Sequence, residues 1–190
     1  MARPREFDLN QVLEKAMDVF WKQGYHATSI SDLTEAMGLL RGSVYAAFGD
    51  KHQLFLAALD RYMEKGLSER QAILDRPGSI KGNIRDVVLR IANKATSGRG
   101  CLFVNSTLEL LPHDAETTAC INRHFQRMET QFFEAIAQAQ TNGEIPTRHP
   151  ATSLARALVC QIQGLRVLEK IATTQPQVQE MVAIMLEILD

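Results

Sequence analysis

The chain has 190 residues, 45% of them hydrophobic, with 21 Lys and Arg against 22 Asp and Glu for a formal net charge of −1. That length suits one compact body, or a small module joined to a larger one, and the near-neutral balance gives no uniformly basic domain; residues 1–65 hold eight Lys/Arg against nine Asp/Glu. No apolar run is long enough to span a bilayer, residues 1–10 are too polar for a secretion signal, and three irregularly spaced cysteines form no disulfide framework, so a reduced cytoplasmic protein is expected.

Along the chain the apolar residues recur at helical spacing. Residues 9–21 place Leu9, Val12, Leu13, Ala16, Met17, Phe20 and Trp21 on one face, a core stripe in which Trp21 reads as packing. Thr28 and Ser29 offer hydroxyls to cap a helix carrying Ile30, Leu33 and Met37, which Gly38 ends. A second short helix carries Val44, Tyr45 and Phe48 and stops at Gly49. Asp50 with Gln53 three residues on resembles a capping box, opening a long helix to about Arg70. Asp75-Arg76-Pro77-Gly78-Ser79 breaks the chain. Ser79 then caps a helix bearing Ile84, Val88 and Ile91, and Ser97-Gly98-Arg99-Gly100 makes a turn. A short helix runs from Cys101 to about Leu111, stopped by Pro112. A longer one runs from about Asp114 to Thr141 with Phe125, Met128 and Phe132 on its face. Pro150 begins another, and Thr174 with Pro176 marks the start of the last. With no alternating pattern and no repeat, the expectation is an all-α protein of about nine helices.

Two short helices joined by a tight turn between Thr28 and Lys51 have one well-known physical use, insertion of the second helix into a DNA major groove. Phosphate binding depends on where charges sit, so a few cations suffice: Arg3 and Arg5 on a Pro-containing arm, Arg41, and Lys51. Arg41 can donate to guanine or phosphate, while Ser43 and the helix N-terminal backbone around Gly42 can hold phosphate.

The run Gly24-Tyr25-His26-Ala27-Thr28-Ser29-Ile30, with Arg41 to Phe48, resembles the N-terminal domain of the TetR family. That pattern is GY-x-x-TS, then G-x-x-x-G-[ST]-[LVIF]-Y-x-x-F and a lysine; Gly38, Gly42, Ser43, Tyr45, Phe48 and Lys51 fill its slots. Leu40 and Ala47 depart from the small polar residue and the histidine frequent there, which bears on the base contacts. The resemblance covers about the first third of the chain. It implies a DNA-binding domain at 1–48 and a ligand-binding and dimerisation domain at 49–190. It also implies phosphate contacts from Tyr45 and Lys51 and a grip on the DNA backbone by Thr28 and Ser29. The implied partners are double-stranded operator DNA, a second copy of the chain and a small-molecule inducer.

Candidate pocket walls are Val88, Ile91, Cys101, Asn105 and Leu108, then Phe125, Met128 and Phe132, with Gln161 and Arg166 as polar anchors. The apolar stripes Leu158, Ile162 and Leu165, and Val178, Met181, Val182, Met185 and Leu189, are the expected dimer interface. Cys101, at a helix start beside Arg99, is the candidate for a thiol- or soft-metal-responsive alternative. Cys120 and His124, four residues apart, with His113 or Cys101 nearby, make at most an incomplete metal shell, so no metal and no cofactor is expected. A second alternative is a small-molecule binding protein that has lost DNA binding. No Gly-rich phosphate loop, HExxH or G-x-S-x-G elbow is present, so no enzymatic activity is expected.

Overall fold

The computed structural model describes residues 7–93, 99–111, 113–168 and 174–190. Arg3, Arg5, the Ser97-Gly98 half of the expected turn and Pro112 lie outside the described residues. Within them are nine α-helices: α1 (Leu9–Gln23), α2 (Ile30–Met37), α3 (Arg41–Phe48), α4 (Lys51–Leu74), α5 (Ile80–Asn93), α6 (Leu102–Leu110), α7 (Ala115–Thr141), α8 (Ala151–Leu168) and α9 (Gln175–Leu186). A 3-10 turn at Glu187–Leu189 follows, and the described residues hold no strand.

Local chemistry accounts for most boundaries. Asp8, Asp50 and Asp114 each accept a backbone N–H from the first turn of α1, α4 and α7, filling donors that have no partner inside the helix. Ser29 and Asp32 form a reciprocal capping box on α2, and Gly38 ends that helix in the left-handed conformation, φ +69°. The expected box at Asp50 is only half made, because Gln53 turns its amide to Glu116 of α7 instead of back to its own cap. Helix α4 runs one turn past Arg70. The buried Asn83 amide of α5 donates to the carbonyls of Leu74 and Arg76, at 3.2 and 2.7 Å, and so satisfies that end of the helix.

Two apolar cores share α4. The first packs α1–α3 onto Leu54, Phe55, Ala58 and Leu59 and is closed by Leu102, Leu110 and Ile121 of α6 and α7. The second joins α5, α7, α8 and α9 around Ile84, Phe132, Ile136, Leu158 and Val182. This corrects the expected dimer interface. Leu158, Ile162, Leu165, Val178, Val182, Met185 and Leu189 are all buried within one protomer, and Met181 packs against the same core. The apolar stripe was legible, but a helix has two long faces and periodicity does not say which partner a stripe meets. The outward lines are thinner: Ala157, Cys160, Gly164 and Val167 on α8, with Ile184 on α9 60% exposed and Val167 44%.

Candidate nucleic-acid interface and ligand cavity

Helix α3 stands out from the first core on one buried side chain, Val44. Its start is uncapped. Leu40 occupies the N-cap, has no side-chain oxygen to offer and is 81% exposed. The outward face therefore carries Leu40, Arg41, Gly42, Tyr45 and Ala46 beside unsatisfied N-terminal N–H groups, with Ser43 partly covered. Arg41 Nη2 donates to the Tyr45 hydroxyl at 3.3 Å, and its guanidinium lies 5.5 Å from the ring centre. Helix end, cation and phenol thus converge on one surface, which suits phosphate and base edges.

Two of the expected DNA contacts are turned inward. The Thr28 side chain is buried and its hydroxyl donates to the Gly24 carbonyl at 2.5 Å, so it neither caps α2 nor faces DNA. The short side chain reaches back one turn and closes the loop between α1 and α2. Lys51 Nζ donates to the carbonyls of Tyr25 and Thr28, both at 2.9 Å, and lies 4.3 Å from the Tyr25 ring centre. It pins the same loop with two of its three donors. Ser29 stays exposed, but its hydroxyl serves the capping box. Bonds from that hydroxyl and from the Ser29 N–H hold the Asp32 carboxyl below its ordinary 3.8.

Three residues that no motif marked tie this unit to the rest. The Glu109 carboxylate of α6 accepts the N–H groups of Tyr25 and His26, at 3.0 and 2.7 Å. Gly24 makes that approach possible: φ is +83°, and a Cβ there would lie 2.9 Å from Glu109 Oε2. His52 of α4 donates to Asp114 Oδ2 at 2.6 Å. Burial alone would raise the Asp114 carboxyl, yet bonds from Thr117 and His52 hold it below its ordinary 3.8.

Beneath α4 lies a cavity of about 350 Å³, in the range of small-molecule sites, roughly 300–1,000 Å³. Ile91, Cys101, Met128 and Arg166 line it as expected, and Ile162, expected at the dimer face, is part of its wall. The other expected walls fall elsewhere. Val88 and Phe132 are fully buried in the second core, and Phe125 stacks on Phe103 with ring centres 6.2 Å apart. Asn105 donates to the Arg99 carbonyl at 3.1 Å and steadies the segment before α6. Leu108 is 71% exposed, because the inward faces of α6 are taken by Leu102, Val104, Ser106 and Leu110. Gln161 is absent from the wall and Gln163 is present; two positions along a helix are about 200° apart around its axis, so only one can face in. Trp21 is more than packing. It lines the cavity, donates Nε1–H to the Gly100 carbonyl at 2.9 Å and meets Tyr62 edge-on.

Cys101 is the N-cap of α6 and its sulfur lies 3.5 Å from the Tyr62 hydroxyl, in the cavity wall. Arg99 does not serve it: that guanidinium sits 4.3 Å from the Trp21 ring centre and pairs with Asp18. Cys120 and His124 are both buried, and His124 bonds Asp60 of α4. Their third neighbour is Asp60, with one ligand atom from each residue within 4.8 Å of the others, and not His113 or Cys101. His124 Nε2 bonds Asp60 at 2.9 Å, and burial, then Asp60, pushes the Cys120 thiol up, which disfavours the thiolate a soft metal needs.

A three-helix unit presenting an exposed α3, seated on a helical body with its own cavity, has the layout of a helix-turn-helix regulator. Residues 12–58 match the profile of bacterial regulatory proteins, tetR family, and residues 82–185 match that of the tetracyclin repressor-like C-terminal domain. The chain belongs to the TetR family, a family of transcriptional regulators and not of enzymes. It is 32% identical to the HTH-type transcriptional regulator YezE of Bacillus subtilis (strain 168), over 100% of both chains. It is 35% identical to the HTH-type transcriptional repressor ComR of Escherichia coli (strain K12), over 87% of this chain and 80% of that one. Among solved structures it resembles a cysteine mutant of the TetR family regulator CifR, complexed with 26-bp double-strand operator DNA. The TM-score is 0.87 at 28% identity, covering 100% of both chains. No helix among the described residues is long and apolar enough to cross a membrane.

Proposed function

We propose that this chain is a cytoplasmic transcriptional repressor that grips operator DNA as a homodimer and releases it when a small molecule occupies the cavity beneath α4. In this reading residues 1–48 carry the DNA contacts and 49–190 the cavity and dimer face, with α4 serving both. The observation that supports it most is one of adjacency. The cavity touches α1, α4 and the start of α6, and those same helices hold the helix-turn-helix through Lys51, Glu109 and the first core.

Arg41, Tyr45, Ser43 and the N-terminal backbone at Gly42 meet the duplex, with Arg3 and Arg5 on the N-terminal arm. Leu40, which the departure from the family pattern left exposed, suits a thymine methyl group. Two copies present their α3 helices about 34–36 Å apart, or a multiple of that spacing. A ligand preferring another spacing shifts the population off DNA by no more than its difference in affinity for the two arrangements. The dimer face in this reading is the outward line Ala157, Cys160, Gly164 and Val167, with Ile184 beside it.

Fluorescence anisotropy with fragments the protein selects from genomic DNA tests the reading. Binding should be specific and should fall steeply with salt. Binding that is absent at low salt returns the chain to a small-molecule binding protein without a DNA role. The placement of Cys101 in the cavity wall favours a second reading, release triggered by a thiol-reactive signal. In that case Cys101→Ser keeps DNA binding and abolishes release, whereas a reversible organic ligand still releases the variant.

A further inference from the structure

We propose that the cavity is built for an organic anion, a carboxylate on an aromatic or aliphatic body, with the carboxylate held by Arg70. This names the ligand class of the regulator proposed above and rests on that reading. Most of the wall is apolar, with Met17, Met63, Leu67, Ile91, Met128 and Ile162 providing the surface for a hydrocarbon body. Among the described residues the wall carries Lys65, Arg70, Arg99 and Arg166 with one carboxylate, Glu69.

Several of these are engaged elsewhere. Lys65 pairs with Glu14, Arg99 with Asp18, and Glu69 with Arg90. Arg70 has no carboxylate within 4.0 Å among the described residues. Among the described residues its one hydrogen bond runs from Nε to Gln131 Oε1 at 2.8 Å. Gln131 is itself fixed, because its Nε2 donates to the Leu67 carbonyl and to Gln71 Oε1, so its oxygen must face Arg70. The Arg70 guanidinium carbon lies 5.8 Å from the centre of the Phe132 ring.

The guanidinium is thus oriented through Nε, with both terminal nitrogens left for a ligand. Loss of water around it, followed by repulsion from Arg166, brings its pKa down to about 10, still cationic at neutral pH. A half-buried cation gains from an anion that joins it there, and the planar fork matches a carboxylate two bonds at a time. An inorganic anion would leave the apolar wall empty.

Trp21, the chain's single tryptophan, stands in the wall, so its emission reports occupancy of the full-length protein. The probes are benzoate, phenylacetate and octanoate, each beside its neutral amide, with inorganic phosphate as a further arm. At least one acid should perturb Trp21 emission and raise the melting temperature, with its amide about tenfold weaker or more and phosphate inert. Arg70→Gln should erase the preference for acid over amide, and Arg70→Lys should keep part of it, both with an unchanged circular dichroism spectrum. Should Arg70→Gln not fold, the acid–amide contrast in the unmodified protein and in Arg70→Lys decides. Amides binding as well as acids, phosphate binding as well as acids, or no acid binding at millimolar concentration overturns the proposal. The DNA measurement is separate. Loss of acid discrimination in a protein that still binds DNA removes only the ligand class, whereas acid discrimination without any DNA binding removes the regulator reading.

Discussion

Tyr45 and Arg41 hold each other in the free protein, hydroxyl to guanidinium at 3.3 Å, and in the proposed complex both take new partners on DNA. Tyr45→Phe leaves the ring and removes the proposed phosphate bond. It is expected to weaken operator binding by about 1–2 kcal/mol at fixed salt with no change in melting temperature. Arg41→Ala should relax base preference if Arg41 reads guanine, and lower affinity uniformly if it meets phosphate. Unchanged binding in both variants would remove α3 as the reading surface. Gly24→Ala combines a disfavoured φ of +83° with displacement of the Glu109 carboxylate. It should cost about 1–3 kcal/mol in urea unfolding, and Glu109→Ala should make the second loss smaller than in the unmodified chain. Ser29, Arg41, Gly42 and Tyr45 were legible as exposed positions because spacing places them on the surface of the helix-turn-helix, with Ser43 partly covered. Thr28 and Lys51 were misread because a polar residue type carries no sign of which way it turns. Glu109, Asp114 and Arg70 act across 50 or more positions, and no local pattern marks them.

Helices were legible as elements because amphipathic stripes and caps are local. What lay outside local reach was any end or face decided by a distant partner. The last turn of α4 depends on Asn83, and the inward packing of α8 and α9 depends on α5 and α7. The His52–Asp114 bond joins the starts of α4 and α7 and yields a pH prediction with a definite sign. The Asp114 carboxyl is lowered on folding from its ordinary 3.8. Its contribution is therefore fully present above that value and is lost as pH falls through the folded value. The melting temperature of Asp114→Asn, followed from about pH 6 down to pH 3, should lie below that of the unmodified protein at the upper end and approach it in acid. A constant gap across that range would dissociate the stability of this junction from Asp114 ionisation.

For the whole molecule, the buried stripes and the outward line make opposite forecasts. Val167→Glu or Ile184→Glu places a charge on an exposed position, so the protomer should stay folded while the proposed dimer dissociates in sedimentation. Leu165→Glu buries a carboxylate in the second core and should unfold the protomer itself. Dissociated protomers should lose most of their operator affinity, since paired half-sites act through effective concentration. An unmodified protein that sediments as a monomer at micromolar concentration would refute the dimer.

Helix α3 has eight residues, no N-terminal cap and one buried side chain. An isolated helix that short does not hold itself together, because nucleation fixes several residues for each bond gained. Its amides should be among the first to exchange with deuterium in the free protein and among those most protected on the operator. Recognition then includes an ordering step, and sequences that freeze α3 poorly would be rejected through the entropy of the reader as well as through missing contacts.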